Sequence, residues 1–143
     1  MSERLSQRLA DILEALPLAS GMRVLEIGCG PGALARAIGE RIGGGHVLAI
    51  DRSRTAIAQV MAGSASEIGS GRLSARCVAA EDFVLAPGEA PFDLAVAIRV
   101  GALDGRHPEI EARALERIAA ALTPGGRLLI DGGDPLREIT LPR

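Results

Sequence analysis

Hydrophobic residues change their spacing several times along this chain of 143 residues. Apolar positions at intervals of three and four predict amphipathic helices at residues 3–16, 32–42 and 108–122. In the last of these, Ile110 is among the side chains expected to face the core. A further helix is predicted to begin after Ser53, which can cap it, and to end near Met61 or Ile68. Short apolar runs predict strands at residues 22–27, 46–50, 73–78, 92–98 and 127–130.

The predicted strands and helices alternate. This alternation is typical of an α/β fold, in which right-handed crossovers join parallel strands into a doubly wound sheet covered by helices on both faces. Residues 92–98 are mostly apolar, as expected for a central strand buried on both faces. Residues 123–126 are predicted to form a turn. The length suits one domain, so residues 1–143 are predicted to form a single three-layer α/β/α unit.

Composition narrows the choice of partners. The formal net charge is -2, and the basic residues, all arginine, are scattered, so no basic surface for nucleic acid is evident. The apolar runs fall far short of the roughly 20 residues that cross a bilayer, and the N-terminus does not resemble a signal peptide. Cys29 and Cys77 have no metal-ligand spacing and are expected to be small buried residues. We therefore expect a cytoplasmic protein without a membrane segment, a metal site or a nucleic-acid partner.

Residues 24–32, which read VLEIGCGPG, are the candidate ligand-binding segment. They predict a strand that runs into a glycine-rich turn and then a helix, and glycine lets backbone approach a ligand closely. A nucleotide-like cofactor commonly lies at the carboxyl end of such a strand. The spacing of Gly28, Gly30 and Ala33, with Asp51 about 20 residues later, satisfies a dinucleotide fingerprint. Glu26 favours another ligand, because a carboxylate attracts a cofactor with ammonium and sulfonium charges and gains nothing beside a pyrophosphate.

The nonapeptide resembles motif I of the class I S-adenosylmethionine-dependent methyltransferases, with Glu26 at the acidic position and glycines at 28, 30 and 32. Later segments resemble further parts of that family in the same order: residues 47–51, 80–83, 92–97 and 122–130. The resemblance implies a Rossmann-like fold with a mainly parallel sheet, and S-adenosylmethionine as the cofactor. The family sheet normally has seven strands, and only 13 residues follow Ile130. We therefore expect a sheet shortened after strand five, with at most one short strand at residues 138–141. The edge of strand five is then exposed, or is covered by the tail or by a second copy in a homodimer.

The resemblance also implies roles for individual residues. Asp51 is expected to accept hydrogen bonds from the ribose diol, and Glu26 to orient the loop and face the amino group of the cofactor. Arg52 is expected at the adenosine edge, although a solvated arginine is an open alternative. Ala79 stands where many relatives have an aspartate that contacts adenine, so Glu81, Asp82 or backbone must serve instead. The full set of predicted cofactor-binding residues is Glu26, Gly28, Cys29, Gly30, Asp51, Arg52, Ala80, Glu81, Asp82, Ile98 and Arg99.

Residues 98–107 are expected to lie over the transferred methyl group. His107 and Asp104 are the candidate general bases, needed only if the acceptor must lose a proton. His107 precedes Pro108, so a structural role at a helix start is an alternative. Arg99 and Arg106 could hold an anionic substrate or be solvated. An Asn-Pro-Pro-Tyr type of motif is missing here, which disfavours methylation of nucleic-acid bases.

Methyl transfer to a small molecule is the function that these observations favour. Two alternatives stay open. The chain could bind S-adenosylmethionine without catalysis, as a module or a subunit that acts with a partner. It could also be a small NAD-binding domain.

Overall fold

Six strands form one sheet in the computed structural model, which describes residues 4–142. Their bounds are β1 Arg23–Ile27, β2 His46–Asp51, β3 Leu73–Cys77, β4 Phe92–Ala97, β5 Leu122–Asp131 and β6 Leu136–Ile139. The order across the sheet is β3-β2-β1-β4-β5-β6. All neighbours are parallel except β5 and β6, which are antiparallel. The predicted doubly wound, mainly parallel sheet is confirmed.

Within residues 4–142, five α-helices accompany the sheet: α1 Gln7–Ala15, α2 Ala33–Arg41, α3 Arg54–Gly63, α4 Ala65–Gly69 and α5 Pro108–Ala121. Short 3-10 turns occupy Ala80–Asp82 and Gly101–Leu103. Alternate residues of a strand face opposite sides of the sheet, and both sides are buried under helices. Val24 and Val96 pack with Ile38 of α2 on one side, whereas Leu25 and Ala95 pack with Ile118 of α5 on the other. This burial on both faces makes the domain three layers thick.

The helix predicted after Ser53, with an end near Met61 or Ile68, is α3, which ends at Gly63 and is followed by the short helix α4. Ser53 caps α3 as predicted, because its hydroxyl accepts a hydrogen bond from the backbone N–H of Ala56. Ser64 then leaves helical geometry, with φ -128° and ψ 28°, and α4 follows it. Ser64 is fully buried, and its Oγ accepts a 2.8 Å hydrogen bond from Arg36 Nη1. A contact with a residue from α2 therefore accompanies the break, which local sequence could not predict.

The far edge of the sheet corrects a second expectation. Strand five is longer than predicted, because Leu122 pairs with Phe92 before the register shifts and Arg127 pairs with Leu94. The predicted turn at residues 123–126 is thus a bulge inside β5. Of the alternatives for the edge of strand five, cover by the tail is confirmed, because β6 pairs with its Leu128–Asp131 part. Self-association stays a prediction, and the edge strands of the described sheet are β3 and the four-residue β6.

Two smaller expectations also fail. Cys77 is exposed at the end of β3, whereas Cys29 is buried as expected. Ile110 is 38% exposed, because it lies in the first turn of α5 beside a cleft instead of over the sheet. No helix within residues 4–142 is long and apolar enough to span a bilayer.

Candidate active site

The loop that joins β1 to α2 is held by backbone contacts to the neighbouring strand. The N–H groups of Gly28 and Cys29 both donate to the carbonyl oxygen of Ile50, over 2.8 and 3.0 Å. Gly28, Gly30 and Gly32 all have positive φ angles, of 69°, 54° and 94°. These angles explain the three glycines, because L side chains rarely adopt that conformation.

Gly28 also needs its small size. A Cβ at this position would lie 2.7 Å from Cγ2 of Val100, a residue on the loop after β4. The backbone of the loop after β1 therefore faces the loop after β4 across a narrow gap. A side chain at Gly28 would close this gap. Nothing lies within 4 Å of a Cβ built on Gly30, so the requirement there is conformational.

Asp51 ends β2 and organises the same loop. Its Oδ2 accepts a 3.0 Å hydrogen bond from the N–H of Gly30, and its Oδ1 accepts one of 2.9 Å from the N–H of Ser53. Each carboxylate oxygen has a further lone pair, so two more donors can be accepted. A vicinal diol supplies two hydroxyl donors at a matching separation.

A cleft of about 660 Å³ lies beside Asp51, at the carboxyl ends of the strands. Six of the eleven predicted cofactor-binding residues line it: Gly28, Asp51, Arg52, Ala80, Glu81 and Arg99. Its wall also includes residues outside the predicted cofactor-binding set, namely Ile27, Ser53, Val78, Ala79, Val100, Gly101, Ala102 and Ile110. Residues 100–102 fall within the segment 98–107 that was expected over the methyl group, whereas the apolar side chains of Ile27 and Val78 are indistinguishable in sequence from core residues.

The other five predicted cofactor residues lie outside the lining of this cleft. Glu26, Cys29 and Ile98 are buried, and Gly30 contributes its N–H to Asp51. Asp82 points away and forms an exposed 2.8 Å ion pair with Arg113 of α5. Direct cofactor contact by Asp82 is therefore not favoured, because its carboxylate is engaged elsewhere.

Glu26 is a buried carboxylate beneath the loop, only 3% exposed. Its Oε1 has no hydrogen-bond partner within the described part of the chain. Burial, with a smaller contribution from the charge of Asp51, raises its pKa from 4.5 to about 8. The backbone N–H of Ala35 and the charge of Arg36 oppose that rise. An unpartnered buried carboxylate is costly, and a nearby cation would relieve it.

The thiol of Cys29 is unreactive near neutral pH. Burial, followed by the charges of Glu26 and Asp51, raises its thiol pKa to about 12. Thiolate is the reactive form, so Cys29 is not a nucleophile near neutral pH. Its Sγ lies 3.4 Å from the carbonyl oxygen of Gly30.

The two candidate general bases occupy different places. His107 lines the main cleft and is the N-cap residue of α5, where its side chain makes no capping hydrogen bond. Asp104 lines a second cavity instead, and its carboxylate accepts from the backbone N–H and from Nε of Arg106. The hydrogen bond from the Arg106 backbone, with further contributions from its side chain, lowers the pKa of Asp104. The geometry favours His107 over Asp104, because His107 lines the main cleft whereas the carboxylate of Asp104 is held by Arg106.

Within residues 4–142, no group of three or more histidine, cysteine or acidic side chains is arranged to hold a metal ion. The polar groups at the carboxyl ends of β1 and β2 are instead arranged around a bare-backbone loop. This geometry suits an organic ligand with a diol and positive charge.

A sequence model described as a methyltransferase domain matches residues 24–126. The chain belongs to this methyltransferase domain family. It is 30% identical to trans-aconitate 2-methyltransferase of Delftia acidovorans over 131 residues. The aligned region covers 92% of this chain and 45% of that protein. It is 37% identical to ubiquinone biosynthesis O-methyltransferase of Xylella fastidiosa over 123 residues. The aligned region covers 86% of this chain and 46% of that protein.

A solved structure is similar to this methyltransferase domain over most of the length of the domain. It is an S-adenosylmethionine-dependent methyltransferase from Thiobacillus denitrificans in complex with S-adenosyl-L-homocysteine. The TM-score is 0.67 at 23% identity, over 91% of this chain and 50% of that one. Binding of S-adenosylmethionine or S-adenosylhomocysteine is typical of the family to which the chain belongs. The chain spans about half the length of the relatives it matches.

Proposed function

We propose that this methyltransferase domain binds S-adenosylmethionine in the main cleft and transfers its methyl group to a small-molecule acceptor. The observation that carries the proposal is that the carboxylate of Asp51 and the bare backbone of Gly28 line the same cleft. The similarity to relatives named for trans-aconitate and for ubiquinone biosynthesis supports a small acceptor.

Each wall of the cleft suits a different part of the cofactor. Asp51 would hold the ribose diol with the lone pairs that Gly30 and Ser53 leave free. The segment from Val78 to Glu81 would border the adenine, with apolar side chains and backbone groups where many relatives use an aspartate. Glu26 lies beneath the loop with an unpartnered oxygen and a pKa of about 8, and the positive charge of the cofactor would favour loss of its proton.

When bound, S-adenosylmethionine supplies a methyl group on a positively charged sulfur. The protein's own contribution is chiefly to position the acceptor in line with that methyl group, and positioning can supply much of the acceleration. His107 lies on the wall of the cleft, where it could take a proton from an acceptor hydroxyl or amine. An acceptor that is already anionic would need no base.

Turnover tests this proposal. The chain is incubated with S-adenosylmethionine and a panel of phenols, amines and carboxylic acids, and formation of S-adenosylhomocysteine is measured. We expect acceptor-dependent product that is abolished or strongly reduced in Asp51→Ala. Binding without product on any acceptor would contradict catalysis by this chain alone.

That outcome would favour a second candidate function, a cofactor-binding module or subunit that acts with a partner. The observation behind it is that the chain covers only 45% and 46% of the two relatives. Binding of S-adenosylmethionine would then persist, and turnover would appear only when the missing partner is supplied.

A further inference from the structure

A second cavity, of about 440 Å³, lies beyond the carboxyl ends of β4 and β5. It shares Arg99, Val100 and Arg106 with the wall of the main cleft. Its other side is formed by the end of β5 and by Arg137 of β6. A molecule in this cavity would therefore lie next to whatever fills the cofactor cleft.

The charges around this second cavity do not cancel. Arg106 is paired with Asp104 through a 2.6 Å contact. Both oxygens of Asp131 are engaged, Oδ2 by Arg8 at 2.6 Å and Oδ1 by the backbone N–H of Arg99 at 3.1 Å. The two carboxylates that line the cavity are thus already neutralised by other groups.

Two guanidinium groups remain. The side chains of Arg99 and Arg137 have no ion pair or hydrogen bond within the part of the chain that the structure describes. Arg137 pairs with Ile130 across β5 and β6, and both residues line the cavity. Its Nε lies 3.6 Å from where a Cβ on Gly132 would be, so the missing side chain at Gly132 leaves room beside it.

The backbone at Arg99 is held in an unfavourable conformation. Its φ is +58°, and it is the one non-glycine residue with positive φ among residues 4–142. Such a conformation persists where surrounding contacts impose it, and it is concentrated at functional sites. The carboxylate of Asp131 accepts a hydrogen bond from the Arg99 N–H, and Arg8 in turn holds that carboxylate.

We propose that Arg99 and Arg137 bind a carboxylate of the methyl acceptor, so that the substrates of this domain are small carboxylic acids. This inference rests on the proposed function and names the acceptor class for it. A guanidinium presents a planar fork of donors that matches a carboxylate, and such charge-assisted hydrogen bonds are among the strongest in proteins. Asp131 is a positioning residue, because it acts through the backbone of Arg99.

The test compares carboxylic acids with their neutral counterparts. Acceptors are offered as matched pairs of acid and primary amide, such as succinate with succinamide and tricarballylate with its triamide. Both S-adenosylhomocysteine formation and binding to the cofactor-loaded chain are measured. We expect the acids to be favoured by at least about tenfold, as charged hydrogen bonds allow.

Variants locate the effect. Arg137→Gln is expected to raise KM for the acids at least about tenfold with little change in kcat, and Arg137→Lys to restore part of the loss. Arg99→Gly removes the guanidinium while tolerating the positive φ, so it should fold and show the same defect. Arg127→Gln is the matched control, because Arg127 lies on β5 but pairs with Glu138 and lines neither cavity. Its kinetics should equal those of the wild type.

The outcomes separate this inference from the proposed function. If the wild-type chain does not bind S-adenosylmethionine, the proposed function itself is contradicted. If the cofactor binds and neutral amides or phenols react as well as the acids, or Arg137→Gln leaves the acids unaffected, the carboxylate inference is overturned alone. It is equally overturned if the loaded chain shows no acid-dependent binding.

Discussion

Glu26 is the residue whose ionisation most affects the folded state. Its pKa rises to about 8 in the fold from 4.5, so between those values the folded chain holds a proton that the unfolded chain has lost. Because the folded state binds more protons, the free energy of unfolding should fall as pH rises through this window, by up to about 1.4 kcal/mol per unit. Glu26→Gln should remove that part of the slope.

Urea unfolding at several pH values from about 5.5 to 7.5 measures this effect. Other titrating groups contribute equally to both proteins, so the difference between wild type and Glu26→Gln isolates Glu26. Parallel pH profiles for the two would show that the buried carboxylate does not titrate as described.

Asp51 carries the second prediction at this scale. Asp51→Ala should weaken binding of S-adenosylmethionine at least about tenfold, because two hydrogen bonds to a charged carboxylate are lost. Asp93→Ala is a matched control, since Asp93 also accepts a backbone N–H, that of Arg23, at the opposite end of the sheet. Calorimetric titration of both variants compares them. Equal affinities for Asp51→Ala and wild type would remove the ribose role.

Sequence predicted some of these residues better than others. Asp51 follows an apolar run, so its place at a strand end could be derived, and the structure puts it on the cleft wall. Glu26 could be placed on a strand, but its burial depends on α2 packing over that strand. The place of Arg137 in a cavity could not be predicted from the sequence, because that cavity is formed only when β6 pairs with β5.

The connection from α2 to β2 leaves no room for a side chain at Gly45. A Cβ on Gly45 would collide with the backbone carbonyl of Met22, and that oxygen accepts the N–H of His46 at the start of β2. Gly45→Ala should therefore lower the free energy of unfolding by more than about 2 kcal/mol.

Gly44→Ala provides the control for this change. Nothing lies within 4 Å of a Cβ at Gly44, and its φ is not positive. Its stability should stay within about 1 kcal/mol of the wild type. Similar unfolding midpoints for the two variants would contradict the packing of this connection.

Element boundaries were predictable where local chemistry decides them. Pro108 begins α5, and Ser53 caps α3, as their residue types indicate. The break at Ser64 and the bulge inside β5 depend on contacts with distant elements, namely Arg36 and the register with β4. A turn was predicted at the bulge, but continued pairing at Leu122 could not be derived from sequence.

At the scale of the whole molecule, two helical layers and a central sheet put four loops around one cleft. A ligand that binds only the folded state stabilises it by about 2.7 kcal/mol at a hundred times its Kd. S-adenosylmethionine and S-adenosylhomocysteine should therefore raise the melting temperature by several degrees, whereas NAD should not. Thermal unfolding with each compound measures this, and stabilisation by NAD alone would favour the dinucleotide interpretation.

The alternation of elements was enough to predict the doubly wound sheet and its helical layers. It did not fix how the last residues pair, because a short strand such as β6 is selected by the edge that it meets. The strand five edge is covered by β6, so any pairing between copies would have to use β6 or the outer strand β3.

A crystal structure of the chain with S-adenosylhomocysteine tests the central claim most directly. The account predicts the ribose hydroxyls within hydrogen-bond distance of Asp51, the adenine beside residues 78–81, and the backbone of Gly28 against the ligand. A ligand bound elsewhere, or a cleft that stays empty at saturating ligand, would contradict it.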